Sequence, residues 1–77
     1  MDAELLVRIT TNPDVMIGKP TVRGLRITVE QVLRALASGV SAEELLDDYP
    51  ELEPDDIRAV LVYAADRVAT ERVYRVA

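Results

Sequence analysis

Two helix-starting signatures lie thirteen positions apart in the middle of this chain, and they fix most of what it can become. Thr28 is followed three residues later by Gln31, and Ser41 by Glu44. Each pair is a capping box, in which a hydroxyl accepts from an orphan backbone N–H and the longer side chain reaches back to the cap residue. Apolar neighbours complete each start: Ile27 with Val32, and Val40 with Leu45, have the spacing of a hydrophobic staple. Between the boxes, Val29, Val32, Leu33, Leu36 and Ala37 recur at helical spacing, and Gly39 supplies a left-handed stop. After the second box, Leu45, Leu46 and Tyr49 share one face, Glu43, Asp47 and Asp48 share the other, and Pro50 ends the helix.

A third helix begins at Pro54, a residue suited to the first helical position, with Asp55 and Asp56 in the first turn where the helix dipole favours carboxylates. Ile57, Val60, Leu61, Ala64, Ala65 and Val68 predict a continuous buried stripe along it, and Leu52 plugs the junction before it. Upstream, Leu6 to Thr11 reads as a short strand, Asn12-Pro13-Asp14 as a turn, and Val15 to Ile27 as extended pieces folded into a hairpin or arm. The expected fold is therefore mainly α: a three-helix bundle with a short N-terminal β-arm. It forms one domain over 1–77, with the arm at 6–27, the helical core at 28–69 and a tail at 70–77. The second and third helices have the order of a helix-turn-helix, although any three-helix bundle shares that spacing.

A 77-residue chain holds one small core, marginal by itself. With no Cys and no His, it lacks thiolate ligands, disulfides, the commonest general base and the commonest metal ligand. Its Gly-Lys pair lacks the longer glycine-rich run of a phosphate loop. No catalytic, metal or cofactor site is expected, and the chain is read as a binding protein and not an enzyme. Acidic residues near the start are unlike a signal peptide, and no apolar run reaches a membrane span, so a cytoplasmic setting is expected.

Charge is segregated. Residues 41–56 carry eight carboxylates and no base, whereas residues 1–28 sum to +1, 29–40 to zero and 57–77 to +2. The acidic block is either a solvated face or a docking surface for a basic partner. Lys19, Arg23 and Arg26 form the basic cluster of the arm, and Arg58 is the one base near the start of the third helix. These four are the candidate partner or nucleic-acid contacts. The open alternative is that the arm arginines solubilise an edge or pair with Asp14 and Glu30. Tyr63, Tyr74 and Val76 are the candidate contacts to a second copy or a partner, because Tyr63 adjoins Ala64-Ala65 and the stretch Val73 to Ala77 alternates weakly.

The run Ile17-Gly18-Lys19-Pro20-Thr21-Val22-Arg23-Gly24-Leu25-Arg26-Ile27, followed by Ser41 to Pro50 and Asp55-Asp56-Ile57 to Ala65, resembles domain of unknown function family 433 (DUF433), small bacterial proteins. The resemblance covers about residues 9 to 67. It implies a homeodomain-like helix-turn-helix preceded by a β-arm, with Gly18, Pro20, Arg23, Gly24, Arg26 and Ile27 in the arm. Ser41 to Tyr49 then matches the first helix of the pair, and Pro54 to Val68 the second. Leu25 departs from the family's usual threonine. Many members are regarded as antitoxins encoded beside a PIN-like ribonuclease. The resemblance thus implies a toxin partner, with operator DNA as the alternative target of a stand-alone regulator. A homodimer is expected instead from the small size of the chain and the surface at Tyr63 and Ala64-Ala65.

Overall fold

The computed structural model describes residues 2–70 and shows four helices and one small antiparallel hairpin. Helix α1 spans Asp2–Leu6, β1 Ile9–Thr10, β2 Thr21–Val22, α2 Val29–Ala37, α3 Ala42–Asp48 and α4 Pro54–Thr70. Helix α1 was not expected from the sequence. Leu6 belongs to it and not to a strand, and the β1–β2 ladder is limited to Ile9↔Val22 and Thr10↔Thr21, beside isolated bridges at Asn12↔Val15 and Thr21↔Thr28. A five-residue helix is too short to stand alone and lacks a periodic signal. It exists because it packs along α4, a contact invisible to local pattern.

Both capping boxes form. Thr28 Oγ1 accepts from the Gln31 N–H at 3.0 Å while Gln31 Oε1 accepts from the Thr28 N–H at 2.8 Å. Ser41 and Glu44 repeat the exchange at 3.1 Å each way. Helix α2 closes on Gly39, whose φ of +98° allows a Schellman pair: Val40 N–H donates to Ala35 O and Gly39 N–H to Leu36 O. Thr28 is also buried, and removing its hydroxyl takes away the acceptor of the Gln31 N–H. Thr28→Ala is expected to cost about 1–2 kcal/mol, read from the urea midpoint, whereas the exposed Ser41→Ala should cost less.

The core is aliphatic. Val22, Ile27, Val29, Val32, Leu45, Leu52, Ile57 and Val60 form one cluster, drawing on the arm, the joint before α4 and the three larger helices. Ile27, Val32 and Leu45 of the two expected staples lie in this cluster and half-buried Val40 packs against it, while Leu52 is buried at the joint before α4 as its position suggested. Leu25, half-buried, packs on the same cluster, so the departure from threonine adds apolar contact there.

Helix α4 corrects the expected stripe. Ile57 and Val60 are buried and Ala64 is half-buried, but Leu61 is 47% exposed, Val68 67% exposed, and Ala65 also faces outward. The reason is length. Seventeen residues span about 25 Å, whereas the nine-residue α2 and seven-residue α3 cover only the first turns. Beyond Val60 the helix is held mainly by α1 and β1, and the buried line runs through Asp56, Val60 and Tyr63. Tyr49 is likewise 38% exposed and only partly inward.

Candidate functional site

The arm is fastened to the bundle by charge. Asp56 is fully buried and accepts five hydrogen bonds. Arg8 Nη1 donates at 2.8 Å, Arg23 Nε at 3.0 and 3.2 Å, Arg23 Nη2 at 2.8 Å and the Glu53 N–H at 2.8 Å. Arg8 Nη1 also reaches Glu53 Oε1 at 2.7 Å, and Arg23 Nη2 reaches Glu51 O at 2.6 Å. Two guanidiniums, from either side of the hairpin, thus converge on one carboxylate at the start of α4. Burial pushes the Asp56 carboxyl up, but the Arg23 donors, the Glu53 N–H and Arg8 together outweigh it and hold it below its ordinary value. Glu53, and then Asp56, hold Arg8 in its charged form, above its ordinary value.

Asp56 therefore differs from the expectation that it sits solvated in a first turn. It does meet the α4 start as expected, returning a bond to the N–H of Glu53 in the manner of a capping residue. Its second role, as counter-ion to Arg8 and Arg23, lies 48 and 33 positions away and carries no local signal. Arg23 is turned onto it from a backbone with φ +47°, followed by Gly24 at +73°, as a type I′ turn requires. The Leu25 N–H closes that turn on Val22 O at 2.8 Å.

The other candidate cations divide. Lys19 Nζ donates to Glu30 Oε1 at 3.0 Å, and Arg34 Nε to Glu30 Oε2 at 2.9 Å, so Glu30 takes the lysine of the arm and neither of its arginines, and bridges the arm to α2. Arg34, then Lys19, hold the Glu30 carboxyl below its usual range. Arg58 makes only an exposed pair with Asp55 at 3.2 Å on its own helix. Arg26 is exposed and, among the described residues, is the one Lys or Arg with no ion pair or ring contact. Arg23 and Arg26, three positions apart, are thus separated into a fastening on buried Asp56 and an open charge.

Two surfaces lie open. One is the outer face of α4, where Arg58, Leu61, Ala65 and Val68 follow helical spacing and are all exposed. Tyr63 is not on it: half-buried toward α1, it lies beneath the Arg67 guanidinium, 5.9 Å from ring centre, beside a cleft of about 290 Å³ lined by Leu6 and Ile9. Tyr74 and Val76 lie outside the described residues. The second surface is a groove of about 680 Å³ between the arm tip and α2, bordered by Met16, Ile17, Lys19, Arg26 and Arg34. Sequence reasoning singled out Lys19 and Arg26 but missed Arg34 and Ile17, the latter 94% exposed at φ +58°. Among the described residues, no group of three acidic, His or Cys side chains is placed to hold a metal, and no helix is long and apolar enough to cross a membrane.

A family model described as "Protein of unknown function (DUF433)" matches residues 9–64. An uncharacterized protein from Sinorhizobium fredii, y4eO, is 39% identical over 56 residues, covering 73% of this chain. The chain spans 25% of that protein's length. No solved structure matches the chain.

Proposed function

The chain belongs to the DUF433 family of proteins of unknown function, and from that premise we propose that it is a cytoplasmic antitoxin that binds and neutralises a PIN-like ribonuclease toxin. It acts by binding and not by catalysis. The observation that carries this reading is the outer face of α4. Leu61 and Val68 stand exposed on a helix whose opposite side is packed, with Ala65 between them and Arg58 one turn before. An amphipathic helix with an open apolar line suits a partner's groove, and an arginine at its edge suits the carboxylates of an acidic nuclease site. Membership of a family many of whose proteins are regarded as antitoxins supports the choice of partner.

The test is co-expression with the neighbouring reading frame, only this chain being tagged. A stoichiometric complex that suppresses ribonuclease activity is expected. Leu61→Asp should weaken that complex about 30-fold or more, as for a central contact of roughly 2 kcal/mol. Its melting temperature should hold, since Leu61 is half-exposed. If no complex forms, or if Leu61→Asp binds like the parent, the reading fails.

The second reading is a stand-alone helix-turn-helix regulator, with α3 and α4 as the pair. The free Arg26 guanidinium favours it, because arms with open arginines enter minor grooves. Against it, the α4 start presents Glu53 and Asp55 to any phosphate. Retardation of promoter DNA by the isolated chain, lost in Arg26→Ala, is the result that would favour this reading.

A further inference from the structure

The tip of the arm carries an unusual combination. Met16 and Ile17 both have left-handed backbones, φ +51° and +58°, ahead of Gly18 at +76°. A β-branched residue is strained there, because its Cβ crowds the following carbonyl. Burial gives nothing in return within this chain, since Ile17 is 94% exposed. The tip overhangs the groove bordered by Lys19, Arg26 and Arg34, and an adjoining hollow of about 440 Å³ continues it along α2 over Pro20, Val29 and Leu33. The trough is thus apolar in its floor, and its sides carry Lys19, Arg26 and Arg34 against Asp14 and Glu30, an excess of one positive charge. Glu30 already pairs with Lys19 and Arg34, which leaves Arg26 as the unpaired cation.

We propose that this trough is a self-association surface, occupied by helix α3 of a second copy. Charge complementarity selects the occupant. Helix α3 and the turn after it expose Glu43, Asp47, Asp48 and Glu51, none of which has an ion pair among the described residues. Tyr49, 38% exposed at the end of α3, and half-buried Leu46 offer apolar surface beside them. No α3 residue lines the trough of its own chain, so both surfaces are open at once. A two-fold axis repeats the contact: each arm lies on the other copy's α3, with Ile17 as apolar anchor and Arg26 as its nearest free charge. A small single core gains from such burial. DNA is the poorer occupant, because the exposed carboxylates of residues 41–55 repel phosphate. This contact is separate from the α4 face assigned above, and it stands or falls independently of the toxin reading.

The experiment is sedimentation equilibrium on the full chain, up to about 200 µM. A dimer at low salt is expected, weakened tenfold or more in about 1 M NaCl as charges are screened. Ile17→Gly should raise the melting temperature by relieving the left-handed strain, yet weaken the dimer at least tenfold; a merely structural Ile17 would give only the first effect. The decisive arm is a charge swap. A chain with Lys19→Glu and Arg26→Glu, and another with Glu43→Lys, Asp47→Lys and Asp48→Lys, should each be monomeric alone and form a heterodimer when mixed. All five positions are exposed, so both chains should fold; circular dichroism checks this, and Ile17→Gly supplies the test if either does not. A parent chain monomeric at 200 µM overturns the proposal. So does a dimer untouched by Ile17→Gly and by the swap, or a monomer whose arm instead retards duplex DNA.

Discussion

Asp56→Ala is expected to lower the unfolding free energy by about 3–5 kcal/mol, the range found when one member of a buried ionic group is removed. A chain of this size has roughly 4–12 kcal/mol in total, so the variant should be largely unfolded under mild heating. The substitution strands the Arg8 and Arg23 guanidiniums beside each other and leaves the Glu53 N–H without its acceptor. Asp56→Asn keeps an oxygen for that N–H but no charge for the arginines, and should fall between parent and Ala. Arg23→Ala should cost less than either, because its side chain is 34% exposed and water replaces part of what it loses. Urea unfolding followed by circular dichroism measures all three. A loss below about 1 kcal/mol for Asp56→Ala would mean that the cluster does not hold the arm.

The same carboxylate sets a pH dependence. Its folded-state pKa lies below the ordinary aspartate value, so the folded chain binds this proton less readily than the unfolded chain. The stabilisation is fully present above the unfolded value, near 3.9, and is lost as pH falls through the lower folded value. Unfolding midpoints of the parent should therefore drop on acidification below about pH 4, and Asp56→Asn should flatten that part of the curve. The parent and the variant falling in parallel would assign the acid loss to other carboxylates.

Leu45→Ala is the second large effect, expected to cost about 2–5 kcal/mol. Leu45 is the one fully buried residue of α3, a seven-residue helix that cannot persist by propensity alone. Its side chain is among the largest fully enclosed in the chain, and few neighbours on so short a helix can close over the cavity. Leu46→Ala, one position on and half-buried, should cost distinctly less. Comparable losses from both would show that α3 is held by a broader face than Leu45. If α3 loosens, its acidic surface is no longer presented, so Leu45→Ala should also impair self-association.

Helix starts and stops were legible because their causes are local. Thr28 with Gln31, Ser41 with Glu44, Gly39 after α2 and Pro54 at the head of α4 all act within a few residues of themselves. Membership of the family, the aliphatic character of the core and the basic arm were legible for the same reason, being properties of composition and motif. Tertiary structure alone decided the rest. Apolar spacing marked Leu61 and Val68 as core, but burial depends on what stands opposite, and α2 and α3 are too short to cover them. Helix α1 owes its existence to α4. Arg23 and Arg26 look alike in sequence, yet folding brought Asp56 within 2.8 Å of one and left the other free. Short-range hydrogen bonds wrote the elements into the sequence; only chain folding, by bringing distant charges and faces together, chose which of them are structural and which remain open to a partner.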